Sequence, residues 1–211
     1  MIRNRALLNQ RRGNAAAAVA DFSTAIDLSP DDADLYYRRG IARHQAGQTD
    51  DARKDLDKAI DLNTGFADAW YVIGNLEAGR GQTDVAAAAY AKAVEIQPEH
   101  AAAWYNRGNL LFNQGKLQQS VDCWTIAITI QPDLFRAWNN RAAAYDRMDR
   151  DAEAVADYEK TLQLNPVFVR AWTIWHGCWP RAIIRTFAIP TEPSSWPRKR
   201  VSFQNSKTGI V

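Results

Sequence analysis

Cysteine is nearly missing from this chain. Cys123 and Cys178 are its two examples, too few for a disulfide framework and in contexts that match no zinc or redox spacing. Long apolar runs are missing too. No stretch approaches the roughly eighteen uninterrupted apolar residues that a membrane span requires. The opening MIRNRALLNQRRGN has no apolar core of signal-peptide length. These absences predict a cytoplasmic protein in a reducing compartment, with no membrane partner. Catalytic signatures are equally scarce. His44, His100 and His176 fall in unrelated settings, none with a nucleophile and carboxylate placed to help it, and neither a Gly-rich phosphate loop nor an HExxH motif occurs. The expectation is a non-enzyme without metal, cofactor or small-molecule substrate, any catalysis belonging to a partner.

Charge of one sign is not dominant either: 26 Lys and Arg oppose 24 Asp and Glu. The small positive excess sits at one end. Residues 177–211 hold Arg181, Arg185, Arg198, Lys199, Arg200 and Lys207 against Glu192 alone, so residues 1–176 are slightly acidic. The overall basic balance therefore argues for no nucleic-acid partner.

What the chain has is a period. Pro30, Pro98, Pro132 and Pro166 stand at whole multiples of thirty-four residues, with Thr64 in the vacant place. Aligned on them, the chain divides into repeats at 1–32, 33–66, 67–100, 101–134 and 135–168, followed by the start of a sixth at 169–176. Large side chains recur at Ile2, Tyr36, Trp70, Trp104, Trp138 and Trp172, and small ones four residues later at Ala6, Gly40, Gly74, Gly108 and Ala142. A second small place (Ala18, Ala52, Ala86, Ser120, Ala154) precedes a bulky one (Phe22, Leu56, Tyr90, Trp124, Tyr158). Spacings of three, four and seven residues are helical, and alternating knobs and notches let helices approach closely.

Each unit thus reads as two antiparallel helices, roughly 33–46 and 50–63 in the second repeat. Gly13, Gly47, Gly81, Gly115 and Asp149 fall where the first helix must end in a left-handed residue. The recurrent proline closes the second helix. A unit of this kind buries its apolar face only against its neighbours.

The segments AWYNRGNLLFNQGK (103–116) and AWNNRAAAYDRMDR (137–150) resemble the tetratricopeptide repeat family, in its variety with an Asn-Arg-Gly motif. The resemblance implies an all-α, right-handed α-solenoid of antiparallel helix pairs. It also implies a protein-interaction scaffold whose inner curve binds an extended peptide. Helical geometry puts the residue after each large slot, and those four, seven and eight further on, on one stripe of the first helix. That stripe carries Tyr37, Tyr71, Tyr105 and Asn139, then Asn75 and Asn109, with Asn106, Asn140 and Arg136 beside it. Amides can pair with both groups of a peptide backbone, and tyrosines offer wide contact at little entropic cost; the competing reading is that these Asn residues only repeat the family's pattern. Members that bind chaperone C-termini hold the terminal carboxylate with basic and amide side chains. Asn75, Asn106 and Arg136 match those polar positions, but Tyr71 and Asn140 stand where bases are required, which argues against that ligand.

The large slot is expected to face the interior, so Trp104→Ala should empty an interhelical space, while Tyr105→Ala should cost little stability. Residues 177–211 break the pattern with Pro180, Pro190, Pro193 and Pro197. Three readings compete there: a docking motif or strap at WPRKR (196–200), a poorly ordered extension, or a reading frame disrupted near residue 176. The abrupt composition change favours the last two. Self-association through an uncapped, tryptophan-rich end, making a homo-oligomer, is the alternative to peptide binding, as is a fragment of a larger repeat protein.

Overall fold

The computed structural model describes residues 2–166; the partial sixth repeat at 169–176, Trp172, His176 and the segment 177–211 lie outside the described residues. Ten helices occur among the described residues: α1 (Ile2–Arg11), α2 (Ala15–Leu28), α3 (Ala33–Gln45), α4 (Thr49–Leu62), α5 (Ala67–Gly79), α6 (Thr83–Ile96), α7 (Ala101–Asn113), α8 (Leu117–Ile130), α9 (Phe135–Arg147) and α10 (Asp151–Leu164). They pack in chain order, each against the one before and the one after. The result is an all-α solenoid of helix pairs. No described helix is long and apolar enough to cross a membrane.

The turn within each pair is built from backbone chemistry. Gly47 adopts φ +78°, its N–H donates to the His44 carbonyl at 3.0 Å, and Gln48 N–H reaches back to Arg43 O at 2.8 Å. Two orphan carbonyls are satisfied by one left-handed residue, and glycine takes that conformation without a Cβ penalty. The same closure recurs at Gly13, Gly81, Gly115 and, with φ +55°, at Asp149. The turn between pairs works differently. The second helix ends two residues before each proline, and the intervening residue leaves the helical conformation, extended at Gln97 and otherwise non-helical at Ser29, Gln131 and Asn165. A proline ring disfavours helix in its predecessor. Where Thr64 replaces proline, Asn63 is extended as well, and its Oδ1 accepts from Gly65 N–H at 3.1 Å.

The core corrects one expectation. The bulky places on the second helix of each pair, Phe22, Leu56, Tyr90, Trp124 and Tyr158, are at most 2% exposed, as are Ile73 and Leu76 of α5. Trp70, Trp104 and Trp138 on the first helices are only half-buried. The indole N–H of Trp104 donates to Pro98 O, and that of Trp138 to Pro132 O, both at 2.9 Å. These rings seal the seam between consecutive pairs, because an amphipathic indole can cover apolar surface while its N–H finds a carbonyl. The notch predicted at Gly40, Gly74 and Gly108 receives the knob sixteen residues on. A Cβ on Gly108 would stand 2.6 Å from Trp124 Nε1, and one on Gly74 would strike the Tyr90 ring. Ser120 and Thr161 occupy other fully buried small places, with hydroxyls donating to Leu117 O and Asp157 O of their own helices.

Candidate functional site

The stripe read from the sequence lies along α3, α5, α7 and α9. Its tyrosines are not bare platforms. Tyr37 packs its ring 4.8 Å from Phe66, and burial followed by the Asp68 charge pushes its hydroxyl up to about 12. Tyr71 lies between the Tyr90 ring at 6.1 Å and the His100 ring at 4.8 Å. His100, in the loop before α7, caps that helix: its Nδ1 accepts from Ala103 N–H at 3.2 Å. Tyr105 is half-buried and its hydroxyl accepts from Asn140 Nδ2 at 3.3 Å. The expectation that Tyr105→Ala leaves stability alone therefore gives way: its ring packs on the core that contains Trp124.

The asparagines form a ladder with the period of the chain. Asn75 Oδ1 accepts from Tyr90 O–H and from Asn106 Nδ2, both at 2.8 Å. One repeat on, Asn109 Oδ1 accepts from Trp124 Nε1 at 3.2 Å and from Asn140 Nδ2 at 2.9 Å. In each rung an amide oxygen holds together the second helix of its own pair and the first helix of the next. An amide has two donor hydrogens and one carbonyl. With the oxygens engaged, the NH2 groups of Asn75 and Asn109 have no partner among the described residues and remain available to a ligand. Burial pushes the Tyr90 hydroxyl up to about 12 despite the Asn106 hydrogen bond, which acts the other way, so it stays a donor at neutral pH.

Three further positions behave differently. Asn139 is 8% exposed, its Nδ2 donating to Asn140 Oδ1 at 3.3 Å, so its place on the stripe does not bring it to the surface. Arg136 is exposed, with its guanidinium 5.5 Å over the Phe135 ring. Arg147 caps the stripe, 4.2 Å over Phe112. A cleft of about 360 Å³ opens between Asn109, Phe112, Asn113, Trp124, Asn140 and Ala143. Sequence reasoning missed Tyr90 and Trp124 as the groups that orient the stripe amides. Their constant offset of fifteen residues from Asn75 and Asn109 was the available signal.

Family models described as tetratricopeptide repeat match residues 45–98, 71–133 and 135–168, and one described as TPR repeat matches 11–47. No curated protein matches the chain. Among solved structures it is similar to "MamA 41-end from Desulfovibrio magneticus RS-1", with a TM-score of 0.68 at 21% identity over 79% of this chain and 94% of the other. "Crystal structure of MamA" gives 0.68 at 22% identity over 77% and 95%. A structure described as "YrrB: a TPR protein with an unusual peptide-binding site" gives 0.62 at 21% identity over 78% and 85%. Identities this low speak for the fold alone.

Proposed function

This chain belongs to the tetratricopeptide repeat family, and on that premise we propose that it is a protein-interaction scaffold that binds an extended peptide segment along the stripe of α5, α7 and α9. The observation that carries the reading is the asparagine ladder. Two consecutive rungs hold Asn75 and Asn109 in one orientation with their NH2 groups unspent, one helix pair apart. An extended strand exposes backbone carbonyls at regular intervals, and rigidly held amides meet them without first losing rotamer freedom. The faces of Tyr71 and Tyr105 and the cleft beside Phe112 supply apolar contact between the polar points. Asn106 and Asn140 serve by fixing that geometry, and Tyr37 and Arg136 extend the surface at its two ends. Affinity of a short extended ligand on such a surface is on the order of micromolar.

The test uses peptides selected from a random display library against the full chain, followed by hydroxyl-radical footprinting. Protection of Tyr71, Tyr105 and Phe112 is expected, together with at least tenfold weaker binding to a Tyr71→Ala/Tyr105→Ala variant whose helicity is unchanged. Protection confined to other surfaces would refute the groove. Molar mass against concentration addresses the self-association alternative, for which a constant monomer mass is the contrary result.

A further inference from the structure

On the side of the first helix opposite the stripe, the repeats share a second built feature. Arg5, Arg39 and Arg141 each grip the Asp sixteen residues later with two parallel hydrogen bonds of 2.6–3.0 Å, to Asp21, Asp55 and Asp157. The remaining nitrogen of Arg39 donates to Ser23 Oγ at 3.2 Å and that of Arg141 to Thr125 Oγ1 at 2.9 Å, both hydroxyls coming from the preceding repeat. Repeat three dispenses with the arrangement as a whole: Ile73 and Ala89 occupy the two places, both buried.

Repeat four keeps the cation and loses everything that answers it. Arg107 stands in the arginine place, Cys123 in the aspartate place and Ala91 in the hydroxyl place. Position 111, which in repeat three is Glu77 and takes Arg53 at 2.6 Å, is here Leu. Arg107 makes no ion pair or hydrogen bond among the described residues. It nevertheless holds the family posture, its guanidinium 5.5 Å over the Trp104 ring as that of Arg39 is over Tyr36. Because a thiol is smaller than a carboxylate, the place is also physically open. A cleft of about 230 Å³ is lined by Trp104, Arg107, Leu111, Asp122, Cys123 and Ile126. Asp122 is exposed and accepts from Gln118 Nε2 at 2.9 Å.

From this juxtaposition we infer that the Arg107 cleft is a receptor for an Asp or Glu side chain of a protein partner, which supplies from outside the carboxylate that three other repeats supply from within. The three internal pairs define the ligand. It is planar, anionic and bidentate, the geometry a guanidinium fork recognises best. The half-buried setting makes such a pair stronger than a fully exposed one. Trp104, Leu111 and the exposed Ile126 form apolar walls for the residues flanking the acid. Recognition here is independent of the groove, so either can fail without the other.

The test follows the Nε–Hε resonance of Arg107 in the full chain during titration with acetyl-Ala-Asp-Ala-amide and its Asn twin. A saturable shift with the Asp peptide is expected, at least about tenfold weaker with Asn, since hydrogen bonds to charged groups are the stronger ones. Cys123→Ala should retain the response. Cys123→Asp should move the Arg107 resonance to its bound position without peptide and abolish further response, because it restores the internal pair. Equal shifts from both peptides, or an Arg107 resonance unmoved by Cys123→Asp, would overturn the inference. Binding that appears only after Asp122→Asn would make Asp122 the resident partner and would also overturn it. A shift that grows with protein concentration alone would assign the carboxylate to a second copy and not to a separate partner.

Discussion

At the scale of single residues, the decisive event is a glycine meeting an aromatic ring. Trp124 is 1% exposed and its N–H is shared between Tyr105 O and Asn109 Oδ1, each at 3.2 Å, so the ring has nowhere to retreat. Gly108→Ala therefore destabilises the fold by about 2 kcal/mol through overpacking, although alanine is the better helix former by about 1 kcal/mol. Gly40→Ala is the contrast. Its Cβ would meet Leu56 Cγ at 3.1 Å and the Ala52 backbone carbonyl at 3.2 Å, tight contacts without the overlap at Gly108, and the change should cost less, about 1 kcal/mol. Urea unfolding of the two variants measures the difference, and equal shifts would contradict the assigned notch. The same geometry makes truncation of the fully buried Trp124 costlier than truncation of the half-buried Trp104.

At the scale of helices, every pair but α7–α8 is pinned across its interior by an Arg–Asp ion pair or by its apolar substitute. Arg141 and Asp157 are both largely buried, and Arg141 also stacks 4.9 Å over Trp138. Asp157→Ala strands a cation with no solvent to receive it and should cost about 3 kcal/mol. The pair Arg141→Ile with Asp157→Ala copies the Ile73 and Ala89 arrangement that repeat three already uses. It should recover at least half of that loss, because removing both charges removes the desolvation term as well. A double-mutant cycle in urea checks the coupling, and additive losses would contradict it. Helix bounds were legible in the sequence to within about one residue, since glycine, proline and apolar spacing act locally. The pairing at sixteen residues was not, because periodicity shows which positions are equivalent without showing which of them meet.

At the scale of the whole array, the titrating groups set the range of pH over which it stands. The hydrogen bond from Arg5 holds the Asp21 carboxyl below its ordinary value, as Lys54 does for Asp51 and Arg150 for Glu153. The folded chain thus binds protons less readily than the unfolded one. Its stability from these groups is present above about pH 4 and is lost as pH falls through their lowered values. At the other end, Tyr37 and Tyr90 titrate at about 12, against roughly 10 in an unfolded chain. Their contribution is complete below about pH 10 and disappears between 10 and 12. Urea midpoints should be flat from pH 5 to 9 and lower at pH 3 and 11. Asp21→Asn should flatten the acid limb. In a solenoid each unit contacts only its neighbours, so acid-induced hydrogen exchange should rise first in α1 and α2. Uniform exchange along the array would contradict this.

The residues in order were enough to determine the repeat length, the helical class, the left-handed turns at Gly13 through Asp149 and which residues share one stripe of the first helices, because each of these depends on neighbours within one turn or one period. They did not determine that the stripe's amide oxygens are already committed to Tyr90, Asn106, Trp124 and Asn140, or that Asn139 is buried. Nor did they reveal that Arg107, beside Cys123, has no carboxylate partner among the described residues. Those facts depend on how one helix lies across another, and only packing in three dimensions decides which side chains share a surface and which hydrogen bonds are left to offer.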